Sequence, residues 1–142
     1  MPISESTIRK DVFKELFTLI NANKLSGWTV LASFPEVSPT FPCIIINPAN
    51  IDFTILSLTG TTRLKTISII VDIFSLAKDG KAKMDEGKDN VSNTLWSNIT
   101  SLFNSTSLNL IDINDSNVET IVLDDQKINF GSMEVLLTYG QS

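Results

Sequence analysis

Apolar residues alternate with other residues through a long segment of the chain, RLKTISIIVDIFS, which begins at Arg63. One set of alternate positions is entirely β-branched and apolar: Ile67, Ile69, Val71 and Ile73. Residues two apart share one face of a strand, so this face should pack against the core. The opposite face includes Ile70 and Phe74 and is only partly polar. We therefore expect a strand over residues 63–75 with one fully buried face and a second, partly covered face.

Two other segments have the spacing of amphipathic helices. The first spans residues 4–23, and its apolar stripe includes Val12 and Leu16. The second spans residues 84–104 and places Val91 and Leu95 on one side. Both stripes are wide enough to cover the buried face of a sheet.

Six shorter apolar or alternating segments are bounded by Pro, Gly, Asn or Asp, which is typical of strands. They are residues 28–34, 42–47, 51–58, 108–113, 118–123 and 131–139. The whole chain, residues 1–142, is then one α+β domain. We expect one mixed or antiparallel sheet of five to six strands, with the two amphipathic helices packed on one face.

A charged segment separates the long strand from the second helix. We expect a loop from Lys78 to Asp89, because the segment has few apolar residues that would fold onto the core, and long loops in compact domains usually carry a function. Its four lysines and four acids can form ion pairs at the rim of a contact. The candidate contact residues here are Lys78, Asp79, Lys81, Lys83, Asp85 and Glu86.

The segment before the long strand is a second candidate contact. Residues 52–66 mix Thr and Ser with Ile and Leu, a composition that suits addition of a strand to the sheet edge of a partner. The candidate residues of this arm are Asp52, Thr54, Leu56, Leu58, Thr61 and Arg63.

The second face of the sheet is a third candidate surface. It carries Ile70, Phe74 and Leu136, and no third helix is predicted to cover them. Because a contiguous apolar patch usually marks an interface, we expect these residues to pack between subunits.

The composition argues against enzymatic activity and metal binding. The chain has no histidine, the residue on which triads, many zinc sites and most general bases depend. No phosphate-binding glycine loop occurs. The run that begins at Asp112 resembles a calcium loop, but Asn117 replaces the required Gly and Leu123 the required Glu. We expect no catalytic residue, no metal and no cofactor.

Charge and apolar content restrict the partners and the location. The net charge of −5 disfavours wrapping of nucleic acid. The first residues lack a secretion signal and no apolar run approaches the length of a membrane span, so we expect a cytoplasmic product that does not enter membranes. Cys43 is expected to be a buried apolar residue, and Trp28 and Trp96 are expected in the core.

The order of these features resembles the tail terminator, or tail completion, proteins of long-tailed bacteriophages. An amphipathic helix precedes PCIIINP, which starts at Pro42; KTISIIVDIFS, a polar loop and a second helix follow, and VLDD precedes a final apolar strand. The resemblance covers nearly the whole chain as a pattern of elements.

The resemblance implies a virion structural protein without enzymatic activity. Such proteins form a ring, commonly of six copies, on the end of the tail tube. The ring stops tube polymerisation and offers a surface to the head-side connector. The implied partners are therefore other copies of the chain, the major tail tube protein and the connector, with DNA passing through the lumen without specific binding. The arm and the loop would contact the tube or a neighbouring copy.

Three alternatives stay open at this point, and one of them is a homodimeric adaptor protein of no phage origin. Other phage neck or tail-tube connector proteins share much the same order of elements. A small enzyme or ligand-binding domain, with a pocket between the sheet and the helices, belongs to a different class.

Overall fold

The computed structural model describes residues 8–32, 39–56, 63–102, 108–123 and 125–141. The helices and strands of the protein, in chain order, are α1 (Ile8–Ala22), β1 (Thr29–Leu31), β2 (Cys43–Ile46), β3 (Asn50–Leu56), β4 (Arg63–Leu76), α2 (Lys81–Leu102), β5 (Leu108–Asp115), β6 (Glu119–Leu123) and β7 (Gln126–Gln141). A single 3₁₀ turn, Ala77–Asp79, connects β4 to α2.

Two long antiparallel strands, β4 and β7, form the centre of the sheet. Their register runs without a break from Arg63 opposite Gln141 to Leu76 opposite Ile128. Each long strand has two shorter strands end to end along its outer side. β2 and β3 both pair with β4, and β5 and β6 both pair with β7.

The remaining strand, β1, pairs in parallel with β2, so the sheet is mixed. The described strands number seven and all belong to this one sheet. The predicted fold class is confirmed: the protein is α+β, with a mixed sheet and two helices. All seven strand segments predicted from the sequence join this sheet, so it has one strand more than the five to six expected.

One face of the sheet forms the main core with both helices. The predicted face of β4 is fully buried there, together with Val12 and Leu16 of α1 and Val91 and Leu95 of α2. The β4 residues in this core are Ile67, Ile69, Val71 and Ile73. The predicted packing of this face on the two helices is therefore confirmed.

The last strand begins earlier than residue 131, where the sequence pattern placed it. β7 starts at Gln126, directly after Asp125, which has a positive φ of 61°. Asp tolerates this conformation at a tight turn between strands. Gly131 lies within the strand, where a Cβ atom would approach Cε of Lys88 to 3.1 Å. The glycine accommodates a neighbouring side chain and does not mark a strand end.

The second helix also begins earlier than the predicted residue 84. α2 starts at Lys81, after Gly80 with a φ of 81°. Its first turns are held by buried residues on one face, Met84, Lys88 and Val91, which are spaced as one side of a helix requires. The first helix, α1, starts at Ile8 in the described part of the chain, and residues 4–7 of the prediction lie outside it.

Candidate interaction surfaces

The predicted contact loop is largely helical, so the expectation of a loop from Lys78 to Asp89 is wrong. Lys78 and Asp79 are exposed in the 3₁₀ turn, and the other four predicted residues lie in the first two turns of α2. Lys83 and Glu86 form an ion pair at 3.7 Å. The helix forms because Met84 and Val91 bury one side of the segment, while its charged residues other than Lys88 lie on the side toward solvent.

The predicted arm is a strand pair in its described part. β3 runs antiparallel to the start of β4, with Thr54 opposite Lys65 and Leu56 opposite Arg63. Asp52 lies at the register shift between Ile51 and Phe53. The predicted contact residues Leu58 and Thr61 lie outside the described residues.

The three residues of the predicted subunit-packing face do not form one open patch. Phe74 is only 7% exposed within the single chain. Its ring stacks on Phe130, with 4.9 Å between ring centroids, and lies 6.4 Å from the ring of Phe41. The expectation that Phe74 packs between subunits is therefore wrong, because a second cluster inside the chain buries it. Ile70 and Leu136 remain half-buried.

This second cluster occupies one end of the sheet face that the helices do not cover. Cys43, Ile45 and Ile128 are buried in it together with Phe74. Cys43 is buried, as predicted, and burial raises the pKa of its thiol from 9.0 to about 12. A thiol with this pKa stays protonated and unreactive at neutral pH.

The rest of that face carries a row of polar contacts across the sheet. Ser132 Oγ donates to Asp72 Oδ1 at 2.7 Å, and Asn47 Nδ2 donates to Asp72 Oδ2 at 2.9 Å. The backbone N–H of Ser132 donates in turn to Ser116 Oγ at 2.8 Å. The Asp72 carboxylate is thus held by hydrogen bonds on both sides, which makes it a structural link between β4, β7 and the residue after β2.

The outer strands of the sheet lie on opposite sides of the central pair. In the part of the chain that the structure describes, β3 pairs with β4 alone and β5 pairs with β7 alone. β3 and β5 flank the same stretch of the central pair, and their sequences differ. A strand with one partner has backbone groups directed away from the sheet, to which another chain can pair.

A further surface, which sequence reasoning missed, is a cleft of about 640 Å³ between α2 and the connection from α1 to β1. We call it the α1–α2 cleft. The residues that line it include Leu25, Trp28, Lys83, Glu86, Asp89 and Thr94. Trp28 is buried, as predicted, and Gly87 of α2 accommodates its ring. Asn90 Nδ2 donates to the carbonyl of Asn23 at 3.0 Å and fixes the end of α1 beside the cleft.

The second tryptophan is not in the core, so that prediction is wrong. Trp96 is 48% exposed on α2. It follows Asp89 by seven residues, which places both on the same side of the helix, two turns apart. The Leu95 and Val91 positions next to it in the sequence pattern supply the buried side instead. Trp96 lies next to the apolar stripe of α2 in the sequence pattern, and helical periodicity alone does not show that it lies outside the buried part of that stripe.

The described residues contain no group of three or more His, Cys, Asp or Glu side chains that is arranged to hold a metal ion. Within the same residues, neither helix is both long enough and apolar enough to cross a membrane.

Comparison with known proteins gave no relationship: no protein-family model matches the chain, and a search of curated proteins found no significant match.

Proposed function

We propose that the chain is a non-enzymatic structural protein of a long-tailed bacteriophage, a tail terminator. Copies of the chain form a ring on the end of the tail tube, stop its polymerisation and offer the surface that joins the head. The partners are other copies of the chain, the tail tube protein and the head-side connector. The protein is then a component of the virion.

The observation that carries the proposal is the presence of two different outer strands, β3 and β5, on opposite sides of the same four-stranded section. A ring requires a contact between two different patches, so that each copy uses one patch to bind the copy before it and the other to bind the copy after it. Pairing of β3 with β5 of the next copy meets this requirement with backbone hydrogen bonds alone.

The charge of the chain supports the same function. The net charge is −5, and a ring of acidic subunits does not retain a phosphate backbone by electrostatic attraction. DNA can then pass through the lumen without being held.

Native mass spectrometry combined with electron microscopy of the purified chain tests the proposal. We expect a species of six 15.7-kDa chains that appears in projection as a closed ring. A dimer with two-fold symmetry uses one patch twice and does not extend to a ring. Such a dimer, or a chain that stays monomeric at millimolar concentration, would contradict the proposal.

A further inference from the structure

The α1–α2 cleft has the size of a binding site and a mainly polar lining with two apolar residues. Its volume of about 640 Å³ lies in the range of sites that bind ligands, roughly 300–1,000 Å³. Its lining residues on α2 extend from Lys83 to Thr94, about three turns or roughly 16 Å of helix. That length accommodates about five residues of an extended peptide.

Apolar side chains lie where a bound segment would contact them. Trp28 is 3% exposed and forms part of the lining, and Leu25, 38% exposed, lies at one side. Trp96 continues the same side of α2 beyond the cleft. Tryptophan is the residue type most enriched among the side chains that dominate binding energy at protein interfaces. Leu25 and Trp96 are therefore suitable anchors for apolar residues of a partner, and the buried Trp28 ring supports the cleft from below.

The charges of the cleft favour a basic partner. Two acids, Glu86 and Asp89, line it together with one lysine, Lys83. Lys83 is already engaged: its Nζ lies 3.7 Å from Glu86 and 6.0 Å from the centroid of the Trp28 ring. In the described part of the chain Asp89 has no ion pair. The lining thus has an excess of negative charge that a Lys or Arg side chain complements.

The Trp28 indole reports on the cleft. Its ring forms part of the lining, and its Nε1 is buried without a hydrogen-bond acceptor among the described residues. The indole N–H resonance is therefore a spectroscopic reporter of the cleft.

We propose that the α1–α2 cleft binds an extended peptide segment of a partner protein, in which a Lys or Arg contacts Asp89 and neighbouring apolar residues contact Leu25 and Trp96. This site is separate from the two sheet edges and does not depend on the proposed ring.

Selection from a displayed library of randomised 12-residue peptides tests the proposal. The intact chain should enrich peptides with a Lys or Arg flanked by apolar residues. Replacing that basic residue by Glu should weaken binding at least tenfold. Asp89→Lys should abolish binding and Asp89→Asn should weaken it, while the matched control Asp79→Lys, an exposed acid outside the cleft, should leave it unchanged.

The location of the bound peptide is tested by NMR. The chain has two tryptophans, so the spectrum of the Trp96→Phe variant assigns the indole N–H resonance of Trp28, and the enriched peptide should shift this resonance in the natural chain. The proposal is overturned if no basic peptide is enriched, if the peptides bind the Asp89→Lys variant equally well, or if they leave the Trp28 resonance unmoved. A shift of this resonance with protein concentration alone would identify a second copy as the occupant and would also overturn it.

Discussion

Lys88 is a buried lysine whose side chain connects two elements of the fold. It is buried at 8% exposure, and its Nζ lies 2.6 Å from Asp115 Oδ1 and donates to the carbonyl of Ser116 at 2.8 Å. The missing side chain of Gly131 leaves room for its end. The side chain therefore links α2 to the end of β5, and its charge is the more deeply buried of the pair.

This asymmetry leads to a prediction about the two partners. Asp115→Ala leaves a buried ammonium without its counter-charge and should lower the free energy of unfolding by about 2–3 kcal/mol. Lys88→Met keeps the packing and leaves Asp115, whose side chain is 53% exposed, in water, so it should cost about 1 kcal/mol or less. Urea unfolding measures the change in the free energy of unfolding for both variants. Glu119→Gln, at an exposed position, is the control and should change it by close to zero. If the two variants lose equal free energy of unfolding, or if Lys88→Met loses more, then leaving the Lys88 ammonium without its counter-charge is not the main source of the destabilisation.

Cys43 gives a prediction about alkaline pH. Its pKa is about 12 in the folded chain and 9.0 when unperturbed, so above pH 9 the unfolded chain loses the thiol proton while the folded chain keeps it. The contribution of the Cys43 thiol to the free energy of unfolding is therefore complete below pH 9 and is lost as the pH rises toward 12. Relative to Cys43→Ala, the natural chain should lose about 1.4 kcal/mol between pH 7 and pH 10. Parallel unfolding curves of the two proteins over this range would contradict the buried, protonated thiol.

At the scale of elements, the sequence predicts the strands and helices that follow a simple period. The four β-branched residues of β4 alternate without exception, and the α1 stripe repeats regularly, so both were predictable from pattern alone. The start of α2 was not, because a lysine, Lys88, occupies one of its buried positions and the segment has few apolar residues. The second apolar cluster was also hidden, since Phe74 is covered by side chains from distant parts of the chain.

The candidate sites were also only partly predictable from the sequence. The charged residues of α2 were predicted as contact residues of a loop, but they lie on a helix, where Lys88 is buried and Lys81, Asp85 and Glu86 are exposed. The α1–α2 cleft depends on the contact of Trp28 with Gly87, two residues nearly sixty positions apart, and no local pattern reports such a contact.

Gly87 provides the prediction at this scale. A Cβ atom there would lie 2.5 Å from Cη2 of Trp28 and 3.1 Å from Cγ2 of Ile73. Gly→Ala within a helix normally stabilises it by about 1 kcal/mol, but Gly87→Ala should destabilise the chain by about 1–3 kcal/mol because the Trp28 ring must move. Thermal unfolding measures the change, with the exposed Ser97→Ala of α2 as the control. A more stable Gly87→Ala variant would mean that Trp28 does not pack on α2 as described.

At the scale of the whole molecule, the long β4–β7 pair separates β3 and β5, which lie at opposite edges of the sheet. The proposed ring joins them between copies. Asn50 of β3 and Asp112 of β5 are exposed and lie on the same face of the sheet. A cysteine at each position, Asn50→Cys with Asp112→Cys, should allow a short bis-maleimide to cross-link successive copies into a ladder of up to six chains. Each single variant should stop at dimers, and the buried Cys43 should not react. Assembled oligomers of the double variant that do not cross-link beyond dimers would exclude the β3–β5 contact.

The central claim is that this chain ends tail-tube polymerisation, and tail length measures it most directly. On this proposal the gene lies in a bacteriophage genome, where an amber codon in it should yield tubes of uncontrolled length that are not joined to heads, as seen by electron microscopy of lysates. Supplying the intact gene from a plasmid should restore tails of uniform length. Tails of normal length joined to heads in the absence of the protein would contradict the account.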